Sequence, residues 1–212
     1  MLCVVVDTGS GNLHSAQKAF ERMARETDAG EVIVSPRPED VARADRVVLP
    51  GDGAFPACFR SLRAMPGMEE ALLEAMGPRG RPFLGICVGM QMLASVGREY
   101  EEVAGLKAIP GAVERIVPED PRLKVPHMGW NDLVVTGAHP VLGGIVTGNH
   151  AYFVHSYQMA VEEPADRLAH VEYGGPVTAI VGRGTVIGTQ FHPEKSQATG
   201  LRLIANFLRW RP

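Results

Sequence analysis

The sequence predicts an α/β fold, a three-layer, mostly parallel twisted sheet flanked by helices with additional antiparallel strands. Three observations predict it. Short β-branched runs, the first from Leu2 to Val6, alternate in the N-terminal half with stretches of helical periodicity. The apolar run Pro82 to Ile86 leads into a cysteine between two glycines, Gly85-Ile86-Cys87-Val88-Gly89, the pattern of a strand turning sharply into a helix. In the C-terminal half, strand patterns at Arg167 to Tyr173, Val177 to Val181 and Val186 to Phe191 are separated by Gly174-Gly175 and Gly182-Arg183-Gly184, which read as antiparallel additions.

The individual elements follow in order. After the first strand, Asp7 to Asn12 is a glycine-rich turn, and from Leu13 the residues Ala16, Phe20, Met23 and Ala24 fall on one helical face. The turn lacks the third glycine of a dinucleotide fingerprint, and no Gly-Lys-Ser/Thr phosphate loop is present, so it is not read as a nucleotide site. Glu31 to Ser35 is a second strand, Asp40 to Ala44 part of a brief helix, and Asp45 to Leu49 a third strand entering Pro50-Gly51-Asp52-Gly53. Met68 to Met76 forms an amphipathic helix. Gly111 opens a strand followed by proline-bounded turns, and Pro126 to Asn131 reads as an irregular surface or interface loop, with a buried His127 as the plainer alternative. Ala151 to Tyr157 alternates as a strand, and Leu201, Ile204, Phe207 and Leu208 mark a final helix.

Composition bounds the function. A chain of 212 residues suits one domain, 1–212, and is short for two. Its formal charge of −3, with no basic block, offers nothing to nucleic acid or to an anionic membrane. Cys3, Cys58 and Cys87 are odd in number and widely spaced, with no zinc-type cluster, which indicates a reducing, cytoplasmic setting and no metal or cofactor. Met1 to Val6 has no cationic lead and runs straight into Asp7, so it is a strand and not a signal peptide.

The chemistry concentrates at Cys87. Flanking glycines remove the Cβ atoms that would collide as strand becomes helix, and a helix start offers unpaired N–H groups that favour a thiolate. The amide of Val88 is then placed to stabilise an oxyanion, and the Gly51-Asp52-Gly53 turn, which also belongs at a C-terminal strand end, can supply the second donor. Far downstream, Phe191-His192-Pro193-Glu194 supplies a base at a strand end. His192 can exchange a proton with the thiol and a leaving amine, and Glu194 can orient the ring. Pro193 holds the two at a fixed spacing.

Together these stretches resemble the class I triad glutamine amidotransferases, in the elbow Gly85-Ile86-Cys87-Val88-Gly89-Met90-Gln91 and in Phe191-His192-Pro193-Glu194. The resemblance implies a glutaminase with Cys87, His192 and Glu194 as catalytic residues, an oxyanion hole from Gly51, Asp52, Gly53 and Val88, and a γ-glutamyl thioester that water hydrolyses. A finer likeness covers the whole chain. Gly9 to Leu13, Pro126 to Asn131, Tyr152 to Tyr157 and Phe191 to Ser196 are similar to the family of glutaminase subunits of imidazole glycerol phosphate synthases, of histidine biosynthesis. It implies that Gln91, Glu99, His155, Ser156 and Tyr157 hold L-glutamine. It also implies that Asn12, Trp130, Tyr152 and Lys195 face a (β/α)8 cyclase partner in a heterodimer. That partner would use the ammonia to make imidazole glycerol phosphate and an aminoimidazole carboxamide ribotide. Asp52 departs from the valine usual in that family, and Thr8 from a common tyrosine. A subunit of another synthase, such as anthranilate synthase, a stand-alone γ-glutamyl hydrolase or cysteine peptidase, and a non-enzymatic module that keeps the elbow are the alternatives.

One prediction rests on sequence alone. A glutamine analogue carrying an electrophile should label Cys87 and leave Cys3 and Cys58 unmodified. Mass mapping of the adduct to either of the other two would refute the assignment.

Overall fold

A computed structural model describes residues 1–9 and 13–212. Ser10, Gly11 and Asn12 lie outside the described residues, and the docking expectation for Asn12 lies there with them. In chain order the first elements are β1 (Leu2–Val6), α1 (Leu13–Thr27), β2 (Glu31–Ser35), α2 (Pro38–Arg43), β3 (Arg46–Gly51), α3 (Phe55–Arg63), α4 (Met68–Met76), β4 (Phe83–Cys87) and α5 (Val88–Gln91). Then come β5 (Val96–Gly97), β6 (Val103–Ala104), β7 (Gly111–Arg115), β8 (His127–Asp132), β9 (Val134–Val135), β10 (His150–His155) and β11 (Tyr157–Val161). The chain closes with β12 (Arg167–Glu172), β13 (Pro176–Arg183), β14 (Val186–Thr189), a 3-10 turn at Pro193–Lys195 and α6 (Gln197–Arg209).

Among the described residues the main sheet has eight strands in the order β2-β1-β3-β4-β14-β13-β12-β9. Its pairings are parallel from β2 as far as β14 and antiparallel beyond it. This is the α/β arrangement that the alternating runs call for. Cys3 to Val6 and Val47 to Leu49 are fully buried because helices cover both sides of these strands. Those helices pack as α1 against α6 and as α4 against α2 and α3. Phe20 of α1 meets Phe207 of α6 edge-on, with ring centroids 6.4 Å apart. Arg46, itself buried, donates from Nε to the Phe207 carbonyl near the end of α6, which also accepts the Trp210 amide.

Two smaller sheets stand beside the main one: a β10-β8 ribbon, and a four-stranded sheet in the order β11-β7-β5-β6. Here the structure corrects the sequence reading. Pro126 to Asn131 is no loop, because residues 127–132 form β8, paired antiparallel with β10. Its alternation was disguised by the identity of the inward set, His127, Gly129 and Asn131, which carries no aliphatic residue, while Met128 and Trp130 point outward. Ala151 to Tyr157 is likewise not one strand. The chain breaks at Ser156 and passes from the ribbon to the four-stranded sheet. Strand β14 ends at Thr189, so Gln190 to His192 leave the sheet earlier than expected. Helix α3 went unassigned, although Phe55, Phe59 and Leu62 form its buried stripe.

Backbone contact between β3, β4 and α5 positions the elbow. A Cβ on Gly89 would lie 1.8 Å from the Leu49 carbonyl oxygen, and one on Gly85 would lie 2.5 Å from the Gly89 oxygen. Gly89→Ala is therefore expected to cost about 1–3 kcal/mol through overpacking, and more if α5 is displaced. Urea unfolding measures this, and a midpoint equal to wild type would show that the elbow is not close-packed.

Candidate active site

Cys87 sits at the carboxyl end of β4, in register with Gly51 of β3, and is 5% exposed. Its φ of 55° and ψ of −113° lie in a region that non-glycine residues rarely occupy. The strain is held by the packing of Gly85 and Gly89, and it aims the side chain out of the sheet. The helix that follows is a single turn, Val88–Gln91, so its dipole is short. What remains at its start is local: the Val88 amide is the first in the helix and has no intrahelical acceptor.

A cavity of about 260 Å³ opens over the sulfur. Among the expected site residues, Asp52, Gly53, Cys87, Val88, Gln91, Glu99, His155, Ser156 and Tyr157 line it, together with Pro126 and Val154. Its volume is just under that of pockets for drug-sized ligands, roughly 300–1,000 Å³, and suits an amino acid. Glu99 is buried and receives the Phe55 amide on Oε2 at 2.8 Å, leaving Oε1 as an acceptor for a substrate ammonium. Among the described residues no lysine or arginine lines the cavity, so a substrate carboxylate would depend on backbone and hydroxyl donors. Gly51 is buried at the end of β3 and lies with His192, Glu194 and Lys195 around a smaller recess.

His192 enters from the turn after β14. Its Nδ1 lies 2.9 Å from Oε1 of Glu194, which leaves the other ring nitrogen for Cys87. Burial opposes charge on this ring, but the hydrogen bonds to Cys87 and Glu194 and the negative charge of both outweigh it. Together they lift its pKa from 6.5 to about 10. The ring thus holds its proton at neutral pH. Glu194 has 5% side-chain exposure, and its second oxygen is buried without a hydrogen-bond partner among the described residues. Such a carboxylate needs an adjacent cation, which the imidazolium supplies. The remaining cysteines are unsuited to nucleophilic work, because burial pushes Cys3 up to about 12 and Cys58 up to about 11.

His155 lines the cavity, but both its ring nitrogens are spent. Nδ1 lies 2.8 Å from the Tyr157 carbonyl and Nε2 lies 3.0 Å from Nδ1 of His127. Burial holds its pKa down to about 4, as it does for His127. It has no ring nitrogen free to hydrogen-bond a molecule in the cavity. Gln91 is similarly committed, donating from Nε2 to the Tyr157 carbonyl and to Oε1 of Gln190, each at 3.1 Å.

Two residues went unnoticed in the sequence. Gln190 is fully buried and donates from Nε2 to Sγ of Cys87 at 3.7 Å. Ser196 is 1% exposed, accepts the Tyr152 amide at 3.0 Å and donates to the His192 carbonyl at 2.7 Å. The sequence signal for each is its place one residue removed from the His-Pro-Glu tripeptide.

On the outer face of the ribbon, Trp130 is 48% exposed and meets the cross-strand Tyr152 edge-on at 5.8 Å. Met128 is 61% exposed beside them, and Lys195 is exposed at the 3-10 turn. The structure thus gathers the three described candidates for a docking face near one ribbon. Among the described residues no cluster of potential metal ligands occurs, and no helix is long and apolar enough to cross a membrane.

A family model described as glutamine amidotransferase class-I matches residues 4–210. Imidazole glycerol phosphate synthase subunit HisH of Cereibacter sphaeroides is 68% identical over 212 residues, and that of Ruegeria pomeroyi 64% over 212, each alignment covering 100% of both chains. The HisH subunit of Rhodospirillum rubrum is 59% identical over 214 residues, again with full coverage of both. Among solved structures, a glutamine amidotransferase superposes with a TM-score of 0.73 at 22% identity, covering 97% of this chain and 96% of that one. The glutaminase domain of Trypanosoma brucei CTPS with bound acivicin gives 0.65 at 14% identity, covering 98% and 93%. These two structural likenesses bear on the fold, whereas the family model and the HisH relatives span essentially the whole chain. On that ground the chain belongs to the class-I glutamine amidotransferase family, among the HisH subunits of imidazole glycerol phosphate synthase.

Proposed function

We propose that this chain hydrolyses L-glutamine to glutamate and ammonia as the glutaminase subunit of an imidazole glycerol phosphate synthase. The observation that carries the reading is His192, held by Glu194 through one ring nitrogen and raised in pKa by Cys87 and Glu194 together, with an amino-acid-sized cavity over the Cys87 sulfur. With the shared proton on the ring, Cys87 attacks the side-chain carbonyl of glutamine as a thiolate. The tetrahedral oxyanion is met by the amide of Val88 and a donor of the Gly51-Asp52-Gly53 segment. The imidazolium then protonates the departing amine, the C–N bond breaks, and ammonia leaves a γ-glutamyl thioester. Neutral His192 next takes a proton from water. The hydroxide equivalent attacks the thioester, the C–S bond breaks, and glutamate leaves with the thiolate–imidazolium pair restored.

In this reading Gln91, Glu99 and the backbone of His155, Ser156 and Tyr157 hold the substrate. The whole chain acts as one domain in the cytoplasm, without a cofactor. Trp130, Tyr152 and Lys195, with Asn12, face a cyclase of (β/α)8 type in a heterodimer. The exposed Trp130 and Met128 support a docking face there, because large apolar groups at the surface favour burial against a partner.

His192→Ala should abolish glutamine turnover, removing both the acid and the base, while Glu194→Gln should retain more because an amide still accepts from the ring. Activity of His192→Ala equal to wild type in the assembled complex would refute the role. A pH signature accompanies it. A pKa raised from 6.5 to about 10 gives stability that is complete below 6.5 and fades as pH rises through 10. Melting temperatures of the wild type should therefore fall more across that window than those of His192→Asn, and parallel curves would contradict the raised value.

A second expectation concerns the partner. Asp52 is exposed at the cavity rim, where an ionised carboxylate opposes a developing oxyanion unless it points away or is paired. The isolated chain should turn over glutamine slowly. Adding the cyclase and its acceptor substrate should raise the rate by about 10²–10³, the worth of one oxyanion donor brought into line. Asp52→Val should be faster than wild type in isolation. Equal turnover by the isolated chain and the complex would show that docking does not gate the site.

A further inference from the structure

The carbonyl oxygen of Tyr157 is a fixed acceptor in the wall of the site, and it sets the direction of the hydrogen bonds around it. It lies 3.1 Å from Nε2 of Gln91 and 2.8 Å from Nδ1 of His155. A carbonyl cannot donate, so the amide nitrogen of Gln91 must face it. The second hydrogen on that nitrogen goes to Oε1 of Gln190. The NH2 group of Gln190 is thereby turned to its other neighbour, Sγ of Cys87. Neither amide can flip without setting two acceptors or two donors face to face.

The same carbonyl orders the groups behind it. With Nδ1 of His155 protonated, its Nε2 accepts from Nδ1 of His127, whose Nε2 accepts from Nδ2 of Asn131 at 3.2 Å. Nδ2 of Asn131 donates also to the Glu172 carbonyl at 3.2 Å. The series requires both rings to be neutral, since an extra proton would oppose N–H to N–H, and burial keeps them so. Gln91, Gln190, His127 and His155 are all buried.

We propose that Gln190 is a further catalytic residue, whose side-chain amide, turned donor-first by Gln91 and the Tyr157 carbonyl, stabilises Cys87 as an anion before attack and again as the thioester breaks. His155 and His127 are positioning residues that hold the Tyr157 segment in place. This rests on the reading of Cys87 as the nucleophile. The other titratable groups that face Cys87 are His192 from the turn after β14, Cys58 of α3, Asp52 after β3, and Glu99 and His155 across the cavity. Among these only His192 brings positive charge, so a second donor on the sulfur has a distinct effect.

The test is alkylation of Cys87 by iodoacetamide across pH, read by mass spectrometry, alongside kcat and KM in the assembled complex. A hydrogen bond to a charged group is worth a factor of roughly 10 to 100. Gln190→Leu should slow alkylation at neutral pH by that factor, move its profile to higher pH, and lower kcat similarly with KM little changed. Gln190→Glu, which turns an acceptor and a charge to the sulfur, should lose more. His127→Phe should shift the profile in the same direction by a smaller amount. Gln190→Met, a flexible residue of similar length, carries the same expectation should the leucine variant not fold. An alkylation profile unchanged in folded Gln190→Leu or Gln190→Met, even with reduced stability, would overturn the proposal and leave the nucleophile intact. Glutamine turnover by Cys87→Ala would instead overturn the parent reading, and this inference with it.

Discussion

The rest of the site depends on a contact between backbones with no side chain between them. Leu49 of β3, Gly85 of β4 and Gly89 of α5 approach so closely that a methyl group on either glycine would overlap a carbonyl. This lets α5 begin directly at the strand end and over-determines Cys87 at a positive φ that would otherwise relax. Holding a non-glycine residue there costs about 1–3 kcal/mol, and the buried parallel strands on both sides of β4 offset it. The thiol gains a direction from this constraint. It stands clear of the sheet with the cavity above it, the first amide of α5 beside it and the Gly51 strand end in register.

Within that frame, three histidines are tuned apart by their neighbours. All are buried, and burial alone lowers a histidine pKa. His127 and His155 follow it down to about 4, because the groups around them are a carbonyl, an amide and each other. His192 moves the opposite way, to about 10, because its two partners are a carboxylate and a sulfur. One site thus contains a fixed imidazolium that can give up a proton to a leaving group and two neutral rings that serve only as hydrogen-bonding struts. Among the described residues the second oxygen of Glu194 has no partner, which fits this division, since a buried carboxylate is stabilised by an adjacent cation.

Much of this was legible in the sequence, for identifiable reasons. Cys87 could be read because its glycines are forced by sterics, and His192 with Glu194 because the proline between them fixes their spacing. The parallel strands could be read from runs such as Leu2 to Val6, whose burial on both faces leaves no polar alternation. Strand β8 could not, because its inward face carries His127, Gly129 and Asn131, polar or small residues that satisfy one another and not an apolar core. Gln190 and Ser196 were invisible because Cys87, which Gln190 meets, and Tyr152, one of the two partners of Ser196, are remote in sequence and are brought near by the fold. His155 shows the limit of a residue's type. The resemblance names it as a contact for the substrate, whereas in the fold both of its ring nitrogens are taken by His127 and by the Tyr157 carbonyl.

The ribbon of β8 and β10 has one face against the site and one toward solvent, and this gives it mechanical leverage. Inward, His127 and His155 bond across it, Phe153 packs on Phe191 at 5.7 Å, and the Tyr152 amide holds Ser196, which in turn holds the His192 carbonyl. Outward, Trp130 and Tyr152 pair edge-on and remain open. Tyr152 therefore belongs to both faces, its ring to the surface and its backbone to the segment that carries His192. Between the two faces lie the buried Ala151 and Phe153 together with hydrogen bonds of fixed direction. Such bonds weaken steeply with misalignment and not gradually with distance. The Tyr152 amide, Ser196 and the His192 carbonyl thus form one hydrogen-bonded series that joins this face to the backbone of His192 without passing through residues 51–53.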